Sequence, residues 1–326
     1  MPIKKAELHV HLEGTISPDL FKRLALRNKL PIPPSLMAAD QESYCYRDFL
    51  DFLKVYDTVA DAIKKPIDYY DVTFEYLRAN AAEGAMYIEM MYSPDHAEMT
   101  SGIPSNEHLA AIQQAIDDAY AQFNIMGRIL ITAVRHFGQD AAIRVAEHGI
   151  HAQFPCIVGF GLGGDEVNFP PKLFQKAYEI AAGGGLHCTV HAGEHAPAAG
   201  MIEAMDYLPI QRIGHGVNAI HCQETIARLK DKQIALEVCP SSNVALGLFK
   251  SLQDHPIKQL RDAGLSISIN SDDPPFFRTN LAKEYRVTQE TFAYTDEQMN
   301  DFTRMAINAA FVDESTKALL RQRITD

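Results

Sequence analysis

The sequence contains no tryptophan, few cysteines and no long apolar run. The cysteines are scattered, odd in number and never form a Cys-x-x-Cys pair: Cys45, Cys156, Cys188, Cys222 and Cys239. This spacing argues against a cysteine-based zinc finger and is typical of a reduced protein. No apolar stretch is long enough to span a bilayer, and the N-terminus lacks the apolar region of a secretory signal. We therefore expect a cytoplasmic protein that does not enter a membrane.

A surplus of basic residues is also absent. Lys and Arg number 30 against 42 Asp and Glu, which gives a formal net charge of -12. Because nucleic-acid binding needs clustered Lys and Arg, this balance argues against a nucleic-acid partner. The composition is 47% hydrophobic and 22% charged, as in ordinary globular proteins. With no internal repeat and no linker, we expect residues 1–326 to form a single domain.

Eight short segments, mostly apolar throughout, are predicted to be β-strands. They cover residues 6–11, 85–92, 128–135, 157–162, 187–192, 212–215, 235–239 and 266–271. Near-continuous apolarity is typical of strands buried on both faces of a parallel sheet. Because segments with helical spacing alternate with these strands, the sequence predicts an α/β fold, and eight such units predict a (β/α)8 TIM barrel.

A doubly wound parallel sheet is the alternative fold. It would normally carry a G-x-G-x-x-G turn after the first strand, whereas this chain has Leu12-Glu13-Gly14-Thr15. The long interval after the first strand, about residues 17–83, is predicted to be a helical insertion. An insertion at this place lies on the catalytic face of a barrel, so it is either a lid or part of the outer wall.

Histidines and carboxylates stand at the ends of several predicted strands. His9 and His11 end the first strand, in which alternate side chains share a face. His191 and His215 end the fifth and sixth strands, and Asp272-Asp273 follows the eighth. Because a barrel directs all its strand ends toward one mouth, we expect these side chains to meet.

Three imidazoles and one carboxylate suit zinc. We assign one Zn2+ to His9, His11, His191 and Asp272. The metal would lower the pKa of a bound water. Glu194 could donate or accept a proton, and Asp273 could handle the water's proton while Asp272 binds metal. Glycines flank His215, which leaves room for a substrate to come close.

These motifs resemble the adenosine/adenine deaminase family of the amidohydrolase superfamily. The resemblance runs from about residue 5 to about residue 310. It rests on His9-Val10-His11-Leu12-Glu13-Gly14, Tyr92-Ser93-Pro94, Gly163-Gly164-Asp165-Glu166, His191-Ala192-Gly193-Glu194, Gly214-His215-Gly216 and Ser271-Asp272-Asp273-Pro274. It implies a mononuclear zinc barrel that hydrolyses the 6-amino group of a small-molecule purine and releases ammonia.

The resemblance also implies a role for each residue. The four assigned ligands would bind zinc, Glu194 would protonate purine N1, and His215 with Asp273 would orient the attacking hydroxide. The substrate contacts would come from His11, Glu13, Gly164 and Asp273. In the insertion, Phe49, Phe52 and Leu53 align with an apolar gate over the pocket, although an amphipathic helix packed on the barrel would show the same pattern.

The resemblance points to two kinds of substrate. Glu13 and the Asn270–Asp273 segment are familiar from adenine deaminases, since adenosine deaminases often have Asp where Glu13 stands, near the ribose 5'-hydroxyl. Gly214, where adenine deaminases often have Asp, and the Gly163–Glu166 segment resemble the nucleoside enzymes. We expect adenosine deaminase activity, converting adenosine or 2'-deoxyadenosine to inosine or 2'-deoxyinosine. The alternatives are adenine, giving hypoxanthine, or a modified adenosine such as aminodeoxyfutalosine.

Two other classes of protein fit the sequence less well. Many amidohydrolases that act on esters or cyclic amides hold two metals with a carboxylated lysine near the end of strand four. This chain has no lysine there, in Gly159–Gly163. A non-catalytic purine-binding barrel would have lost a ligand or the proton donor, and this sequence retains all of them.

Overall fold

The strands form one parallel sheet that closes into a barrel. The computed structural model describes residues 3–325, apart from the side chains of Phe49, Leu50 and Thr325. The strands are β1 (Lys5–Glu7), β2 (Ala85–Tyr92), β3 (Met126–Val134), β4 (Ile157–Gly163), β5 (His187–Ala192), β6 (Arg212–His215), β7 (Ala235–Val238) and β8 (Ile267–Ile269). They lie in sequence order, and each pairs in parallel with the next. The predicted (β/α)8 barrel is confirmed.

Helices surround the barrel and fill the long interval after β1. The α-helices are α1 (Pro18–Asn28), α2 (Phe49–Ala60), α3 (Pro66–Ala82), α4 (Pro94–Ser101), α5 (Ser105–Phe123), α6 (Gln139–His151), α7 (Gln175–Gly183), α8 (Ala198–Tyr207), α9 (Gln223–Asp231), α10 (Pro240–Ala245), α11 (Ile257–Asp262), α12 (Leu281–Phe292), α13 (Asp296–Ala309) and α14 (Glu314–Thr325). Local sequence starts several of them: Ser17 caps α1 by accepting the N–H of Leu20, with Pro18 in the first turn. Within residues 3–325, none of the helices has the length and apolar character that crossing a bilayer requires.

The barrel closes between β8 and β1 through an irregular seam. The backbone N–H of Leu8 donates to the side-chain oxygen of Asn270 at 2.8 Å, in place of a regular ladder bond. Backbone pairing resumes two residues later, where His11 N lies 3.0 Å from Asp272 O and Asp272 N lies 3.2 Å from His9 O. Three of the four residues predicted to bind metal, His9, His11 and Asp272, therefore form part of the closure itself.

This seam explains why the predicted ends of the first and eighth strands were wrong; β3, β4 and β7 also differ from their predicted bounds, by one or two residues. Residues 6–11 and 266–271 were expected to be continuous strands, but regular pairing covers only the shorter β1 and β8. Away from the seam, where backbone bonds run uninterrupted, the predicted bounds 85–92, 187–192 and 212–215 coincide with β2, β5 and β6.

The helices between β1 and β2 take both of the roles that the sequence left open. Helix α3 packs along α5 on the outside of the barrel. Helix α2 lies over the C-terminal ends of the strands, where Phe52 and Leu53 line a cavity. Phe52 is only 5% exposed, so it packs as well as covering the site. The side chain of Phe49, the third residue of the expected gate, lies outside the described residues.

Candidate active site

The four predicted metal ligands meet at the C-terminal mouth of the barrel. Ligand atoms of His9, His11, His191 and Asp272 all lie within 4.8 Å of one another. The Nε2 atoms of His11 and His191 are 3.3 Å apart. Asp272 Oδ1 lies 3.5 Å from His9 Nε2 and 3.4 Å from His11 Nε2. In a tetrahedral zinc site, ligand bonds of about 2.0–2.2 Å place neighbouring ligand atoms about 3.3–3.6 Å apart. The donor set therefore fits one ion of this size.

Hydrogen bonds on the far side of two rings aim their Nε2 atoms at this point. His191 Nδ1 donates to the carbonyl oxygen of Leu162 at 3.0 Å. His9 Nδ1 lies 2.7 Å from Glu237 Oε2. His9 Nε2 is buried and has no hydrogen-bond partner among the described residues. A bond at Nδ1 fixes the tautomer in which Nε2 offers its lone pair, which is the form that binds a metal.

The electrostatics of these residues also suit a cation. Burial opposes the charged form of His9, but the nearby carboxylates of Asp272 and Glu237 raise its pKa to about 10. Burial lowers the pKa of His11 to about 4 and that of His191 well below its ordinary value. Burial alone would raise the pKa of Asp272, but its contact with His9 and the other nearby imidazoles hold it well below the usual range. His11 and His191 are therefore neutral and Asp272 is ionised, as metal ligands must be, and the carboxylates that favour a proton on His9 would equally favour a cation at its Nε2.

Glu194 follows β5 and faces the cavity beside the ligands. Burial, together with the charges of Asp272 and Glu166, raises the pKa of Glu194 well above its ordinary value. Its Oε1 accepts a hydrogen bond from Asn243 at 3.3 Å and lies 3.5 Å from His215 Nδ1. A carboxyl group that keeps its proton near neutral pH can act as a general acid.

The loop that carries Glu194 is held by Glu166, on the loop after β4. Its carboxylate accepts three backbone N–H groups, from Gly193 at 2.8 Å, Ala196 at 2.7 Å and His195. Three charge-assisted bonds to one carboxylate make this loop a rigid support. The sequence marked Glu166 only as part of a motif, without this structural role.

Asp273 diverges from Asp272, as expected of neighbouring residues. Ser242 donates to Asp272 Oδ2 at 2.6 Å. The carboxylate of Asp273 instead packs on the α-carbon of Gly14, where an added Cβ would lie 1.8 Å from Oδ1. That Oδ1 is buried and has no hydrogen-bond partner among the described residues. Burial and the charge of Asp272 raise the pKa of Asp273 well above its ordinary value. Since this residue lines the cavity, its carboxyl group is placed to contact a ligand there.

A cavity of about 520 Å³ opens above these residues. All the predicted catalytic and substrate-binding residues line it: His11, Glu13, Gly164, Glu194, His215 and Asp273. Phe52 and Tyr56 of α2, together with Phe277, contribute an apolar wall. Glu13 is buried, and its Oε1 accepts a hydrogen bond from Tyr69 at 2.8 Å. Burial raises the pKa of Glu13.

Sequence analysis missed four buried side chains that support the site: Arg135, Glu237, Ser242 and Asn243. Arg135 donates to the carbonyl oxygen of His191 at 2.5 Å. Glu237 was detectable, because a lone charge within an apolar strand needs a buried partner. The other three carry no comparable signal, since their partners are defined only when the barrel closes.

Residues 4–326 match the family model described as adenosine deaminase. The chain belongs to this family. It is 39% identical to the adenine deaminase of Sinorhizobium medicae over 318 residues, which cover 98% of this chain and 97% of that protein. The crystal structure of adenine deaminase from Arthrobacter aurescens aligns with a TM-score of 0.91 and 30% identity, covering 99% of this chain and 98% of the other. An amidohydrolase from Burkholderia ambifaria with bound zinc aligns with a TM-score of 0.90 and 28% identity, covering 99% and 90%.

The predicted family is therefore confirmed, and with it the class of hydrolytic purine deaminases. Membership agrees with the geometry, because the motifs that carried the resemblance converge on one metal-capable cluster and one cavity.

Proposed function

We propose that this protein is a zinc-dependent adenine deaminase, which converts adenine and water to hypoxanthine and ammonia. The observation that carries the choice of adenine is the end-to-end similarity to proteins named adenine deaminase, at 39% identity over 98% of the chain. This similarity favours the alternative substrate over the nucleoside that the sequence motifs alone had favoured.

In this proposal His9, His11, His191 and Asp272 hold the metal. Zinc suits a set of three nitrogens and one oxygen, and when bound it supplies the Lewis acidity that lowers the pKa of the attacking water. The short ligand-atom separations and the orphaned Nε2 of His9 support this assignment.

Glu194 is the proposed proton donor to purine N1. Its raised pKa keeps the carboxyl group protonated, and the Glu166 contacts hold its loop in place. Protonation of N1 draws electrons from C6 and prepares that carbon for attack by water. N1 keeps this proton in the product, so the attacking water must supply the other two: one passes through Asp273 to the 6-amino group, which leaves as ammonia, and one restores the proton on Glu194.

His215 and Asp273 are the proposed groups that orient the attacking water, and Asp273 is the group that takes up its proton. His215 lies beside the ligand cluster, with its ring centroid 4.8 Å from that of His9. Burial lowers the pKa of His215 to about 3, so its imidazole is neutral and can accept a hydrogen bond from the water. Gly164, in a left-handed conformation with φ of 96°, is the proposed backbone contact for the purine.

Glu13 supports a base rather than a nucleoside as the substrate. Its carboxyl group lines the cavity but is already engaged by Tyr69, and it is one methylene longer than an aspartate at this position. A sugar attached to the base would therefore have less space beside the Glu13 carboxyl group, which already accepts one hydrogen bond. A nucleoside remains the second candidate, because a cavity of about 520 Å³ is larger than a bare purine needs.

The test is turnover of adenine, adenosine and 2'-deoxyadenosine by the zinc-loaded protein, followed by purine absorbance and by ammonia release. We expect the highest kcat/KM with adenine, and about 10²- to 10⁴-fold slower turnover of adenine by the Glu194→Gln control. A clear preference for either nucleoside would refute adenine as the substrate. Activity only on a larger adenosine derivative, in a wider panel that includes aminodeoxyfutalosine, would refute both candidates.

A further inference from the structure

A buried network of charged side chains lies beneath the metal-capable cluster, inside the barrel. Glu237 on β7 contacts His9 through Oε2, at 2.7 Å. Its other oxygen accepts hydrogen bonds from Arg212 on β6 at 2.6 Å and from Thr189 on β5 at 2.9 Å. All of these side chains are essentially inaccessible to solvent. We call Glu89, Thr189, Arg212 and Glu237 the floor network.

The network continues from Arg212 across the barrel to its far end. A second guanidinium nitrogen of Arg212 lies 2.5 Å from Glu89 Oε2 on β2, and a third donates to the carbonyl oxygen of Ala309 at 3.0 Å. The guanidinium also stacks 3.5 Å from the ring centroid of Phe311. The backbone N–H of Phe311 in turn donates to Glu89 at 2.6 Å. The segment between α13 and α14 therefore anchors the network from below.

Where the floor network meets the metal-capable cluster, Glu237 fixes the orientation of the His9 ring. A carboxylate bonded to Nδ1 holds a histidine ring in one tautomer and at one angle, with Nε2 free to bind a metal. Because Arg212 and Thr189 hold the other oxygen of Glu237, the carboxylate itself has little freedom to turn. Gly214 leaves space for this arrangement, since an added Cβ there would lie 2.8 Å from His9 Cε1.

We propose that Glu237 and Arg212 are positioning residues for the metal centre. Glu237 orients His9, and Arg212, clamped by Glu89 and the Ala309–Phe311 segment, fixes Glu237. This inference rests on the metal-dependent function proposed above, and it concerns the affinity and geometry of the metal site rather than the choice of substrate. A purely structural role is the alternative, because buried ion pairs also occur where they only hold strands together.

Metal affinity separates the two roles. We would measure the zinc dissociation constant by chelator competition, and the d–d absorption spectrum of the Co2+-loaded protein, for Glu237→Gln and wild type. Loss of a carboxylate that supports a ligand histidine typically weakens metal binding by about 10- to 100-fold. We expect a loss in this range and an altered Co2+ spectrum.

The matched control is Asp68→Asn, which breaks another buried carboxylate–arginine pair, 2.7 Å long, with Arg27. It lies in the insertion, away from the ligands. We expect Asp68→Asn to lower the unfolding temperature and to leave zinc affinity and the Co2+ spectrum unchanged. If Glu237→Gln behaves like this control, the inference is overturned.

A milder pair of variants keeps the test decisive if Glu237→Gln does not fold. Thr189→Val removes one hydrogen bond to Glu237 while keeping the side-chain shape, and Thr189→Ser restores the hydroxyl group. We expect several-fold weaker zinc binding in the valine variant and recovery in the serine variant. Equal affinities in both would overturn the inference. Since the readout is metal binding, a wild type that binds zinc but ignores adenine would refute only the proposed substrate, whereas one that binds no metal would refute both proposals.

Discussion

Replacing Gly14 with alanine tests how closely the carboxylate of Asp273 is placed for the reaction. A Cβ at position 14 would lie 1.8 Å from Asp273 Oδ1, whereas ordinary contact begins at 3.4 Å, so the oxygen must move by 3.4 − 1.8 = 1.6 Å. Gly14 is not among the glycines with positive φ, so the backbone itself accepts alanine. Because misplacing a reacting group by about 1 Å can cost about 10²-fold, we expect kcat/KM to fall at least about 100-fold.

The assay is kcat/KM for adenine with metal-loaded protein, beside Gly183→Ala as the control. An added Cβ at Gly183 meets nothing within 4 Å, so this variant should keep wild-type activity. Zinc content should stay near wild type in both variants, because Asp273 is not a proposed ligand. Wild-type turnover by a folded, zinc-loaded Gly14→Ala protein would refute the role of the Asp273 carboxylate.

Four further variants test separate parts of the proposals. Glu194→Gln should retain zinc but lose about 10²- to 10⁴-fold in kcat, and wild-type kcat/KM should fall at alkaline pH as Glu194 ionises; a near-normal rate would contradict the proton-donor role. Asp272→Ala should lose zinc on dialysis, and full metal content with full activity would rule out this ligand. Glu13→Asp should raise the adenosine-to-adenine ratio of kcat/KM about tenfold, and an unchanged ratio would count against Glu13 as the selecting residue. Burial raises the pKa of Glu284 from 4.5 to about 7, because the folded protein favours the protonated carboxyl group. The folded state therefore loses stability as the pH rises through that range. In urea unfolding, the free energy of unfolding of Glu284→Gln should therefore rise by about 3 kcal/mol relative to that of wild type between pH 4.5 and pH 8. A difference between the two proteins that stays constant with pH would exclude this titration.

The barrel was predictable because burial on both faces leaves a simple pattern in the sequence. Strand β2 is apolar along most of its length, and the predicted bounds of β2, β5 and β6 agree with the structure. The ends of β1 and β8 were not predictable in the same way. There the side chain of Asn270 replaces a backbone bond, and a sequence pattern does not show which polar side chain does so.

His9 and His11 meet as expected, although the strand geometry from which this was predicted is only partly present. His9 and His11 were expected to share a face because they stand two apart in a strand. Regular pairing ends at Glu7, yet isolated bridges pair Val10 with Asp272 and His11 with Met91, and these keep the chain extended. The two imidazoles therefore converge on one point although the strand around them is interrupted.

The buried charges inside the barrel left a signal that could have been used. Glu89 and Glu237 interrupt apolar strands and Arg212 begins one, and a buried charge needs an opposite charge or a metal nearby. Their partners could not be chosen from the sequence alone. The pairing crosses from β6 to β2, and only the closed barrel brings those strands face to face.

The conflict over substrate turns on what Gly214 and Glu13 each contact. In the sequence, Gly214 resembled the nucleoside enzymes and Glu13 the adenine enzymes. Gly214 is not among the described residues that line the cavity, and an added Cβ there would lie 2.8 Å from His9 Cε1 and 3.1 Å from Nδ1. The absence of a side chain at Gly214 therefore leaves room for the His9 ring in the position where it contacts Glu237, beneath the metal-capable cluster. Glu13 lines the cavity that would hold the substrate. A residue that touches the cavity bears on substrate choice more directly than one that packs behind a ligand, so Glu13 deserves the greater weight.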